Sequence, residues 1–172
     1  MRVLAAAALA SLAISPAPVA AAAPAAPAVR VPLLKGGEIF DSRELIGKKV
    51  LVLRFQASWC KLCAGQAAGL QRIYDRYRAR DVEILAIHVD DPELEVRAFV
   101  AAHRATYLVA LDSSLRVANR FGFKRAPYTV VVNKRGEIAA RLDATAELAR
   151  LSAAIDAALK PPARRKAPAR RS

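Results

Sequence analysis

Cys60 and Cys63 are the only two cysteines among 172 residues, three positions apart. They stand in Trp59-Cys60-Lys61-Leu62-Cys63, between an apolar run at 50–55 and a helix-compatible stretch from Ala64. Positions i and i+3 share a helix face, so the two sulfurs can meet in a small ring. A helix N-terminus offers unpaired N–H groups and partial positive charge, which stabilise a thiolate. The thiolate is the attacking species in disulfide exchange. Residue type and spacing therefore point to a redox pair. A structural disulfide and half of a metal site are the competing readings. A structural zinc site takes four protein ligands, and beyond the cysteines the chain offers only His88 and His103. Both histidines fall in ordinary strand or helix patterns, so no metal is assigned.

These cysteines need a strand to deliver them and a helix to receive them. Residues 49–55 read as a strand rich in β-branched and apolar residues. From Cys60 to about 80, Leu62, Ala67, Leu70, Ile73, Tyr74 and Tyr77 recur at helical spacing. Around this pair the pattern alternates. An extended segment at 31–34 and 38–40 reads as a small hairpin, and 41–45 as a helical turn stopped by Gly47. A buried strand is expected over 82–89, then a helix to about 103 with Asp91 as cap and Pro92 in its first position. A strand at 107–111, a short helix ended by Gly122, a hairpin of 128–132 and 137–142, and a last helix over 144–159 complete the series. Early strand–helix alternation implies parallel pairing, and the late hairpin antiparallel pairing. The fold class is α/β, with a mixed central sheet and helices on both faces.

Length allows one domain. Residues 30–159 form the expected folded unit, and about 130 residues can bury a core without disulfide staples. Residues 1–22 read as a secretory signal: Met1-Arg2 is basic, 3–14 is apolar, and Ala20-Ala21-Ala22 fits a cleavage site. The apolar run is shorter than the roughly 20 residues a membrane span needs. Residues 23–29 read as an Ala/Pro linker. The net charge is +13, and the tail at 160–172 holds six positive residues and no negative one. Its prolines and lack of apolar period make it a disordered basic tail. Such a tail suits contact with an anionic membrane surface. Nucleic acid is not an expected partner, because no aromatic residue is interleaved with the charges.

Two further stretches add to the cysteine motif. Phe55-Gln56-Ala57-Ser58-Trp59-Cys60-Lys61-Leu62-Cys63 and Arg125-Ala126-Pro127-Tyr128-Thr129-Val130-Val131-Val132-Asn133-Lys134-Arg135-Gly136-Glu137-Ile138 together resemble the thioredoxin fold. More closely, they resemble its exported TlpA/ResA-type thiol-disulfide oxidoreductases. The gap from Cys63 to Pro127 is long enough for the extra strand and helix of that branch.

The resemblance implies a thioredoxin-like domain, no cofactor, a periplasmic location and exchange with protein thiols and disulfides. A reductase direction, a membrane electron donor and a place in cytochrome c biogenesis are implied in the same way. By position, Cys60 is implied as the nucleophile and Cys63 as the resolving thiol. Pro127 is implied to be cis, with Ala126 pairing its backbone with substrate and Trp59 shielding the sulfurs.

Four departures from the family pattern bear on proton handling and potential. Lys61-Leu62 lacks the commoner proline between the cysteines, and Lys61 places positive charge beside Cys60. Arg54 occupies the strand position where thioredoxin has a buried aspartate; it either stabilises a thiolate or reaches solvent or a carboxylate. Gln66 stands where some reductive relatives have glutamate. Ala68 replaces a helix-kinking proline. A Cu(I)-handling metallochaperone of the same fold is the alternative function, since thiolates suit a soft ion.

Overall fold

A computed structural model describes residues 23–144, 146 and 148–161. The expected signal at 1–22 and the tail at 162–172 lie outside the described residues. The elements begin with strands β1 (Arg30–Pro32) and β2 (Ile39–Asp41), an antiparallel pair in which Val31 faces Phe40. A 3-10 turn (Ser42–Leu45) follows, capped by the Asp41 carboxylate, which accepts from the Arg43 N–H. Then come β3 (Val50–Gln56), α1 (Lys61–Tyr77), β4 (Val82–Val89), α2 (Glu93–Ala102), β5 (Leu108–Asp112), α3 (Arg116–Arg120), β6 (Tyr128–Val132), β7 (Ile138–Leu142) and α4 (Leu148–Leu159).

The main sheet runs β5-β4-β3-β6-β7. β3, β4 and β5 are parallel, whereas β6 pairs antiparallel with both β3 and β7. All seven residues of β3 are buried, as a central strand covered on both faces must be. Its alternation sorts the two cores. Leu51, Leu53 and Phe55 pack with Val117, Ala118 and Phe121 of the α3 region and with Val31 and Phe40 of the small hairpin. Val50 and Val52 pack with Leu70, Ile73 and Tyr77 of α1 and Leu151 and Ile155 of α4. A fully buried Val, Leu, Ile or Phe side chain contributes about 1.5–3 kcal/mol. The extra strand and helix fall between α1 and Pro127, as the long gap requires.

Several expectations change. Residues 23–29 are seated on the domain instead of linking to it. Val29 is 1% exposed; its N–H donates to Ser42 Oγ, and Ala26 N–H donates to the Gly136 carbonyl. Pro24 lacks an N–H, yet its carbonyl accepts from Ile138. Helix α1 stops at Tyr77, short of residue 80, and α4 starts at Leu148, later than residue 144. Leu62 is 47% exposed and does not join the core face of α1. Asp91 does not cap α2; Pro92 is the cap residue and makes no side-chain cap bond. The Asp91 carboxylate is taken by longer-range partners at the cysteine loop.

Candidate active site

β3 points its C-terminal end at the cysteine loop, and β6 lies against it. Phe55 pairs with Tyr128 and Arg54 with Thr129, so the residues preceding β6 sit beside the loop that leaves β3. Cys60 and Cys63 are joined in a disulfide, with Cα atoms 5.2 Å apart. Cys60 is the N-cap of α1 and not its first helical residue; its Sγ accepts from the Cys63 N–H at 3.1 Å. The first turn of α1 holds no acidic residue, so the positive end of the helix is directed at Cys60 without a competing carboxylate. Cys60 is 7% exposed and Cys63 1%. Cys60 is thus the less buried cysteine of the pair.

Ala57 and the two cysteines form a small cluster, against which Ala126 packs. The Ala126–Pro127 peptide bond is cis. Trp59 is 62% exposed at the mouth of the site, its Nε1–H donating to the Asp90 carbonyl at 3.4 Å. Lys61 is exposed beside Cys60. Arg54 is buried and does not reach solvent. Its Nη1 donates to Thr129 Oγ1 at 2.9 Å and its Nη2 to Gln66 Oε1 at 2.5 Å. Burial pushes its pKa down to about 10, so the guanidinium stays charged at neutral pH. Arg54 and Gln66 therefore meet, on the inner side of the helix that carries the cysteines.

A second set of residues holds the loop and was missed in the sequence. Asp91 Oδ1 accepts from Ser58 Oγ at 2.6 Å, and Asp91 Oδ2 accepts from Ser58 N–H at 2.6 Å. His88 Nδ1 lies 2.7 Å from Asp91 Oδ2, and its Nε2 lies 2.9 Å from Gln56 Nε2. With the Gln56 amide nitrogen donating, His88 Nε2 accepts and its ring proton sits on Nδ1, directed at Asp91. The side chains of His88 and Asp91 are fully buried. Burial holds the His88 pKa below its ordinary value, and the Asp91 contact opposes this in part. His88 is therefore part of a buried polar chain instead of an ordinary strand residue. The signal was present: Gln56 and His88 are polar residues near the ends of apolar strands, and they are register partners.

Among the described residues no group of three or more His, Cys, Asp or Glu side chains converges as a metal site. No helix among them is long and apolar enough to cross a membrane.

The AhpC/TSA family model matches residues 22–141. The chain belongs to the AhpC/TSA family. Within this family the chain is 33% identical, over 102 residues, to the thiol-disulfide oxidoreductase ResA of Halalkalibacterium halodurans. That match covers 59% of this chain and 57% of the relative, so it spans less than two thirds of the relative's length. Solved structures share the fold of this AhpC/TSA-family chain. A thiol:disulfide interchange protein of the thioredoxin family from Chlorobium tepidum superposes with TM-score 0.74 at 18% identity, covering 83% of this chain and all of that one (100%). A secreted disulfide oxidoreductase of Mycobacterium tuberculosis superposes with TM-score 0.66 at 22% identity, covering 75% and 95%. The thioredoxin-like architecture and the kinship with ResA expected from the motifs are both found.

Proposed function

We propose that this protein is an enzyme exchanging dithiol for disulfide with protein substrates, working as a reductase in the periplasm. The observation that carries the reading is the Cys60–Cys63 disulfide at the start of α1, with the Cys63 N–H directed at Cys60 Sγ. That amide and the helix end favour a thiolate on Cys60 once the bond is reduced. Cys60 then attacks a substrate disulfide and forms a mixed disulfide. Cys63 attacks Cys60 in turn, closing the internal disulfide and freeing the reduced substrate. Kinship with ResA supports the oxidoreductase class.

Trp59, Ala126 and Pro127 line the mouth of the site and are assigned to substrate contact. Lys61, Arg54 and Gln66 tune the sulfurs. Export through the signal at 1–22, return of electrons from a membrane donor and contact of the basic tail with an anionic membrane surface complete the proposal. The domain proper is 30–159, together with the seated segment before it. Purified protein should reduce a model protein disulfide with dithiothreitol as donor, and Cys60→Ser should reduce that turnover to the uncatalysed rate. Turnover in Cys60→Ser equal to that of the native chain would remove the assignment.

A further inference from the structure

Arg54 is a buried cation without an anion. It is 4% exposed, and its two hydrogen-bond acceptors, Thr129 Oγ1 and Gln66 Oε1, are neutral. Its Nε is buried with no hydrogen-bond partner. Among the described residues no carboxylate lies within ion-pair distance of it. Tyr107 is the titratable neighbour whose charge acts on Arg54; burial raises the Tyr107 pKa, so it stays neutral at pH 7. A buried charge left uncompensated is costly. The sulfur of Cys63, on the same helix as Gln66, becomes an anion when reduced and deprotonated. Gln66 follows Cys63 by three residues and shares its helix face, a rise of roughly 4.5 Å along the axis. Thr129 follows cis-Pro127 by two residues. The guanidinium is thus fastened between the first turns of the cysteine helix and the strand leaving the proline, and Cys63 is the more buried cysteine of the pair.

We propose that Arg54 is the counter-charge of the Cys63 thiolate, and that it raises the reduction potential of the Cys60–Cys63 couple, confining its substrates to labile, high-potential disulfides. The inference rests on the exchange reading above. In each cycle Cys60 thiolate attacks a substrate sulfur, and the expelled substrate thiolate takes a proton from water. Cys63 thiolate then attacks Cys60 Sγ, the Cys60–substrate bond breaks, and the second substrate thiolate is protonated from water. The protein loses two electrons and the substrate gains them. In the reduced state Arg54 faces an anion; in the disulfide state that sulfur is neutral and the cation is again unpaired. Oxidation therefore costs the ion pair, so the dithiol gives up electrons less readily. A dithiol held in this way reduces strained or exposed disulfides and leaves low-potential structural disulfides alone. Arg54 acts through Cys63 and is a positioning residue.

The test equilibrates the full chain with glutathione buffers of graded ratio and reads the dithiol fraction by alkylation and mass. Arg54→Met should shift the equilibrium at least tenfold toward the disulfide, which is about 30 mV. Gln66→Glu keeps the side-chain shape, hands Arg54 a carboxylate, and should shift it the same way. A second readout uses Cys60→Ser, in which Cys63 is the only thiol. Its thiolate absorbance near 240 nm, at a fixed pH on the rising limb, should fall several-fold when Arg54→Met or Gln66→Glu is added. Equilibria within twofold of native in Gln66→Glu, or an unmoved Cys63 titration, would overturn the inference even if Arg54→Met failed to fold. If those variants exchange normally with an unchanged equilibrium, only this inference falls. If the native chain shows no exchange with glutathione or protein disulfides, the exchange reading falls with it.

Discussion

The Asp91 carboxylate accepts the Ser58 N–H at 2.6 Å, tying the loop after β4 to the backbone two residues before Cys60. The same carboxylate takes Ser58 Oγ and the His88 ring. One buried acid thus fixes the turn that presents the outer cysteine, and it is oriented in turn by a histidine anchored to Gln56 of β3. Cys60, two residues on from Ser58, is the N-cap of α1.

Removing that acid should be expensive. Asp91→Ala removes the acceptor of a buried histidine and of two Ser58 donors, and should cost about 2–4 kcal/mol of folding stability. Asp91→Asn keeps one acceptor and should cost less. Urea unfolding measures both, and equal midpoints for native and Asp91→Ala would contradict the role.

Stability should also fall on acidification. The folded pKa of His88 lies below its unfolded value, chiefly through burial. Below about pH 6.5, the ordinary histidine value, the unfolded chain binds the proton first. The contribution of neutral His88 is therefore complete above that pH and is lost as pH falls toward the folded pKa. Urea midpoints followed from pH 8 to pH 5 should decline for the native chain and flatten in His88→Gln. Parallel curves for the two proteins would contradict the assignment.

Trp59 should matter for substrate and hardly at all for folding. It is mostly exposed, with one long hydrogen bond to the Asp90 carbonyl. Trp59→Ala should change stability by less than about 0.5 kcal/mol. Its KM for a protein disulfide should rise roughly three- to tenfold, since exposed aromatics at binding surfaces carry much of the contact energy. A loss of kcat at unchanged KM would place Trp59 in the chemistry instead.

Helix α1 is also held from behind. Tyr77 is fully buried, and its hydroxyl donates to Asp156 of α4 at 2.9 Å. Tyr77→Phe should cost about 1 kcal/mol, seen as a lower melting temperature with turnover retained. A melting temperature equal to native would show that the bond contributes nothing.

What could be read from the chain, and what could not, divides by range. Residues 82–89 and 128–132 are mostly apolar and β-branched runs between turn residues, so strands β4 and β6 fall where the pattern puts them. The cysteine pair and cis-Pro127 carry local signatures, and the structure packs Ala126, the residue before that proline, against the cysteines. Asp91 was misread because Asp-Pro at a helix start is a strong local capping signal, and the contacts with Ser58 and His88 outcompeted it. Residues 23–29 were misread because Ala/Pro composition hides the one buried anchor, Val29. Leu62 was placed on the core face of the helix, yet it lies in the first turn of α1 and is exposed there while its neighbour Cys63 is buried. For Arg54 the sequence marked an unusual position; only the structure shows that its acceptors are neutral.

The most direct test of the account is the trapping of substrate. Cys63→Ser, expressed in the native compartment, should accumulate mixed disulfides through Cys60, visible as higher-mass species that dithiothreitol dissolves and mass spectrometry resolves into partner proteins. Cys60→Ser should accumulate none. Equal trapping by both variants, or none by Cys63→Ser while the native chain still turns over, would contradict an outer attacking and an inner resolving sulfur.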